Sequence, residues 1–138
     1  MGTVKTPDYP RGITMEKFNE QGFNFTERTR DKEIREPDNP NTITEIDILL
    51  ENGDFVIAVE IKSKPNEADV EKHIKRMEVL RRVADRKGDT RKYQGAIAGA
   101  IMNQSIRDYI IQNGFYMIEQ SGDTVKLTIP KDFTPREW

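Results

Sequence analysis

The chain has 138 residues, a net charge of −2 and 33% charged side chains. That is enough length for one domain with a core, and too little basic excess for broad, non-specific affinity for nucleic acid. It has no cysteine, which excludes a disulfide framework, cysteine-ligated zinc and thiol chemistry, and no apolar run approaches a membrane span or a leader segment, so a cytoplasmic protein without a membrane partner is the expectation.

Residues 1–12 contain Pro7, Pro10 and Gly12 and read as a lead-in or linker from a larger chain, with residues 13–138 as a single domain. Residues 13–21 predict a short helix with Ile13, Met15 and Phe18 on one side, closed by Gly22. Phe23 and Phe25 open an extended stretch that runs toward Ile34, and Pro37-Asp38-Asn39-Pro40 is a loop.

Residues 43–62 predict a β-hairpin. Asn52-Gly53, flanked by two β-branched and apolar runs, signals a two-residue type I′ turn, in which both positions take φ > 0. A loop of those two residues sets Glu45 opposite Glu60, Asp47 opposite Ala58 and Ile43 opposite Lys62. Alternation then sorts the side chains into two faces. One carries Ile46, Ile48, Leu50, Phe55, Ile57, Val59 and Ile61; the other carries Glu45, Asp47, Glu60 and Lys62, with Leu49, Val56 and Ala58 between them. Opposed acids on a partly covered face repel one another, and a divalent cation held by carboxylate oxygens beside a lysine relieves the repulsion. A solvated face of ordinary surface acids is the alternative.

Pro65 breaks the strand and Asn66 begins a helix over residues 66–87, with Asp69 at N3 in a capping-box arrangement. Val70, His73, Ile74, Met77, Leu80 or Arg81, and Ala84 form its inward stripe, and Gly88 ends it. Residues 31–60 hold nine acidic and two basic side chains, residues 61–92 six acidic and eleven basic. The contrast sets a candidate cation site beside a phosphate-attracting surface, while a solvated helix face gives the same count. Residues 93–102, YQGAIAGAIM, read as a central strand covered on both faces, its small residues allowing close approach, with Tyr93 and Gln94 as structural residues. Ser105 is the expected N-cap of a helix over residues 105–113, with Gly114 at C′. Strands follow over residues 115–119 and 124–129, and a tail with Phe133 and Trp138 packs back. The order α-β-β-β-α-β-α-β-β is an α/β mixed sheet flanked by helices.

Asp47, the tight hairpin and Glu60-Ile61-Lys62, followed by helix, strand and helix, resemble the PD-(D/E)XK nuclease superfamily over about residues 13–120. The run EIDILLENGDFVIAVEIKSKP is similar to uncharacterised prokaryotic nuclease-like families whose members often carry a helical region ahead of this domain. The resemblance implies a restriction-endonuclease-like fold and hydrolysis of phosphodiester bonds in DNA, with RNA as the other substrate. It implies one or two magnesium or manganese ions held by Asp47 and Glu60, with the Ile61 carbonyl completing the shell and Lys62 positioning or activating the attacking water. Such a metal both generates a nucleophile and neutralises phosphoryl charge. The resemblance also implies an acid on the first helix. Glu16 and Glu20, one turn apart, are candidates that compete with plain surface charge, and Glu45 is a further candidate, reaching across to Glu60. Lys64, Lys72, Lys75 and His73 are candidate phosphate contacts, set against solvated lysines and a packed histidine. The displaced first acid leaves open a catalytically inactive nuclease-fold domain that binds nucleic acid or protein, as a homodimer or with an N-terminal helical region outside this chain. A small-molecule hydrolase or structural α/β domain is the third reading.

Overall fold

Short-range chemistry sets most element ends. Asn66 accepts the Asp69 N–H at 2.9 Å and Asp69 accepts the Asn66 N–H at 2.9 Å, so both halves of the expected capping box form. Gly22, Gly88 and Gly114 follow helix ends with φ of 96°, 73° and 78°, a region open to glycine at little cost. The computed structural model describes residues 13–138; the expected lead-in over residues 1–12 lies outside the described residues.

The elements are α1 (Ile13–Glu20), β1 (Glu27–Arg35), β2 (Ile43–Glu51), β3 (Phe55–Lys62), α2 (Glu67–Arg86), β4 (Lys92–Gly99), α3 (Gln104–Gln112), β5 (Tyr116–Ser121) and β6 (Thr124–Thr128). All six strands form one mixed sheet in sequence order, antiparallel from β1 to β3, parallel from β3 to β5, and antiparallel again at β6. The α/β class and the element order are as expected. The N-cap of α3 is Asn103, not Ser105: its side chain accepts the Ile106 N–H at 2.9 Å, two residues earlier than predicted.

Two apolar clusters sandwich the sheet. Leu49, Val56, Ala58 and Ile97 pack with Val70, Met77 and Leu80 of α2 and Ile110 of α3. Ile48, Leu50, Ile57, Val59 and Ile61 pack with Phe18 of α1, Phe25 and Tyr116. The acid-bearing face of the hairpin is therefore covered by α2 at Leu49, Val56, Ala58 and Glu60, while Asp47 and Lys62 are half-buried and Glu45 is exposed. Close approach at β4 depends on its small residues: a Cβ on Gly95 would lie 2.5 Å from the Phe115 ring. The tail packs back as expected, with the Trp138 N–H donated to the Tyr93 carbonyl at 2.8 Å and its ring stacked on Phe115.

Two expectations for the hairpin are overturned. The turn closes through the Asn52 N–H donated to the Phe55 carbonyl, and the Asn52 side chain accepts the N–H groups of Asp54 and Phe55. The two-residue loop is thus Gly53-Asp54, and Gly53 is absent from the positive-φ positions. Asn52 builds a side-chain-capped turn in place of type I′. The pairing consequently moves by two residues, with Glu51 opposite Val56 and Leu49 opposite Ala58. A shift of two preserves the faces, so most of the sorting stands. Ile46 does not follow it. It packs in the α2 cluster while Ile48 packs in the α1 cluster, so alternation breaks at Asp47. The break has a counterpart in β1: Asp31 takes φ 52°, and the β1–β2 pairing passes from Arg30 opposite Ile48 to Lys32 opposite Ile46.

Candidate functional site

The shifted register decides which acids meet. The β2–β3 ladder ends at Ile48 opposite Val59, and the same register carried one residue on sets Asp47 level with Glu60. Glu45 is therefore not opposite Glu60 as expected; it is exposed and faces Glu33 of β1. At this point Asp47 Oδ2 accepts the Ile61 N–H at 2.8 Å, so the side chain takes over a strand contact where the ladder stops. Ile61 is joined to the site through this N–H. Glu60, at the C-terminal end of β3, is 4% exposed. Its Oε2 lies 3.2 Å from Nη2 of Arg76 and 4.0 Å from Nζ of Lys62.

Burial and the neighbouring acid set the electrostatics. Loss of hydration, a side-chain hydrogen bond with Asp47 and the charge of Asp47 push the Glu60 carboxyl up to about 8, against the opposite pull of Arg76 and Lys62. Burial and Asp47 thus favour the protonated carboxyl, while Arg76 and Lys62 favour the anion. His73 is 1% exposed, and burial lowers its imidazole to about 4. The neutral ring donates its Nε2–H to the Ala58 carbonyl at 2.9 Å, and its Nδ1 lies 3.4 Å from Nη1 of Arg76. His73 is thus a packed core residue that braces Arg76; its burial removes it from the solvent-facing surface where a phosphate contact was expected.

The remaining candidates separate into two groups. Carboxylate oxygens of Asp31, Glu45 and Asp47 all lie within 4.8 Å of one another. The third acid near Asp47 thus comes from β1, not from α1. Glu16 and Glu20 are exposed on a helix that packs through Phe18 against the opposite sheet face, and Glu20 pairs with Lys17 at 4.0 Å, so neither joins Asp47. Lys64, Lys72 and Lys75 are exposed and make no ion pair among the described residues. Lys72, Lys75 and Arg76 line a cavity of about 420 Å³ with Thr44 and Glu45.

The donor set fits a hard divalent cation. Carboxylate oxygens are the ligands magnesium and manganese take, and Asp47 belongs to both groupings, with Glu60 on one side and with Asp31 and Glu45 on the other. A carboxyl pushed toward its protonated form by burial and then by a second carboxylate is a group that such a cation would relieve. Two members of this site are missing from the sequence-based set. Arg76 lies three residues after His73, so the same helical stripe that marked His73 points to it. Asp31 carries no such signal, because only the β1 distortion brings it near Asp47.

Comparisons with family models, with curated proteins and with solved structures return no match for this chain.

Proposed function

We propose that this chain is a divalent-cation-dependent hydrolase of phosphodiester bonds acting on DNA, built on a restriction-endonuclease-like sheet. The observation that carries the reading is the side-chain contact of Asp47 in β2 with Glu60 in β3, with Lys62 4.0 Å from Glu60, beside the C-terminal ends of parallel strands β3 and β4. Ligands of open α/β sheets collect at that end. Asp47 and Glu60, or Asp47 with Asp31 and Glu45, hold the cation, which when bound supplies an activated water and charge neutralisation. Lys62 orients that water or balances charge on the attacked phosphate. Lys64, Lys72 and Lys75 draw the phosphate backbone to this edge. RNA is the competing substrate.

A second reading rests on one contact. Arg76 pairs with Glu60 at 3.2 Å, and a guanidinium that compensates this carboxyl suits a nuclease-like domain that binds nucleic acid or protein without cleaving it. Incubation of plasmid and short branched DNA with manganese separates the two. The wild type is expected to cleave, with a loss of about 100-fold or more in Asp47→Ala and Lys62→Ala. Cation-dependent cleavage that survives in Asp47→Ala rejects the site, and binding without cleavage in the wild type supports the second reading.

A further inference from the structure

We propose that Arg76 and a divalent cation alternate on the Glu60 carboxylate, and that the guanidinium freed when the cation binds grips a phosphodiester oxygen in the cavity beside it. The inference rests on the cation-dependent reading above and adds a residue and a coupling to it. Three observations carry it. Nη2 of Arg76 lies 3.2 Å from Glu60 Oε2, where a cation held by Asp47 and Glu60 would bind. Nη1 lies 3.4 Å from Nδ1 of a histidine that is itself fixed to β3 through the Ala58 carbonyl, so release of Nη2 leaves the guanidinium at the site. Arg76 also lines the cavity of about 420 Å³ shared with Lys72 and Lys75, both exposed and unpaired among the described residues.

The chemistry follows from charge and shape. A dication and a guanidinium on one carboxylate repel, and the ion takes the oxygens that coordinate it. The planar fork of arginine matches a phosphate bidentately, whereas an ammonium meets it as a point charge. Cation binding therefore creates the phosphate grip, and the two ligands are linked: each tightens the other by the same factor. Arg76 contacts substrate in this account, and His73 is a positioning residue.

The test is the affinity of a fluorescein-labelled short DNA duplex with and without calcium, a cation of the same charge, read by anisotropy. Calcium is expected to tighten duplex binding by about fivefold or more in the wild type. In Arg76→Met the change is expected to fall within about twofold. The side-chain Nε–H resonance of Arg76, assigned by its loss in that variant, is expected to move on calcium addition in the wild type and to stay in place in Glu60→Gln. Where Arg76→Met does not fold, Arg76→Lys carries the test, since it keeps charge without the fork. Full coupling in either variant, or an unmoved Arg76 resonance while calcium binds, overturns this inference and leaves the cation site standing. Absence of any calcium or manganese binding by the wild type overturns both.

Discussion

Two carboxylates of this molecule sit beside arginines and end in opposite states. Asp89 accepts Nη2 of Arg91 at 2.7 Å, Nε at 3.0 Å, the Arg91 backbone N–H at 3.0 Å and the Tyr93 hydroxyl at 2.8 Å. With its anion so fully served, chiefly by the Arg91 guanidinium, its carboxyl is held well below the usual carboxylate range. Glu60 has an arginine too, yet burial and Asp47 drive it up to about 8. The difference is the company each keeps: Asp89 meets donors only, whereas Glu60 meets a second acid in a dry place. Donors in a closed set make a staple, and two acids with incomplete compensation make a place for a cation.

The largest expected contrast is in activity. Asp47→Ala lowers manganese-dependent DNA cleavage by about 100-fold or more, while Asp89→Asn leaves the rate within about twofold. Equal losses in the two variants would erase the distinction. Next in size is stabilisation by cation. At manganese about 100-fold above its dissociation constant, the wild type gains about 2.7 kcal/mol, read as a raised melting temperature, and Asp47→Ala and Glu60→Gln gain little. Asp89→Asn responds to manganese as the wild type does.

Without cation the order reverses. Asp89→Asn is expected to cost about 1–3 kcal/mol at neutral pH in denaturant unfolding, because it removes the anion that Arg91 and Tyr93 share and leaves Arg91 with Glu51 and the Asn52 carbonyl. Glu60→Gln is expected to cost less, since burial and Asp47 already favour the uncharged form of Glu60. The pH dependence has the sign each shift demands. Asp89 is depressed when folded, so its contribution is present above the unfolded value of 3.8 and is lost as pH falls toward the folded one. Glu60 is raised when folded, so its contribution is complete below 4.5 and disappears as pH rises through about 8. His73, lowered to about 4, adds a loss as pH falls from 6.5. Melting temperatures across this range are expected to decline toward pH 8 in the wild type and to stay flatter in Glu60→Gln.

The parts legible in the sequence were those set by near neighbours. The Asn66 and Asp69 capping box, the glycines after each helix and the order of elements along the chain rest on patterns a few residues long. The hairpin faces were legible because a register error of two leaves parity intact. The register itself was not, since Asn-Gly fits two turns and only the Asn52 side chain, accepting from Asp54 and Phe55, selects the observed one. That error moved Glu45 into the place Asp47 holds. The switch of Ile46 to the α2 face and the approach of Asp31 depend on the distortion shared by β1 and β2, which no short-range pattern encodes. Arg76 sat in plain view on the basic helix, but its partner Glu60 lies sixteen positions earlier and is found only once α2 folds over β3.

The most direct measurement is calorimetric titration of manganese at neutral pH in two buffers of different ionisation enthalpy, for the wild type and Asp47→Ala. A cation that replaces the proton held between Glu60 and Asp47 must bind the wild type with release of a proton, and must bind Asp47→Ala far more weakly. Equal binding by both proteins, or binding with no proton released, contradicts the account.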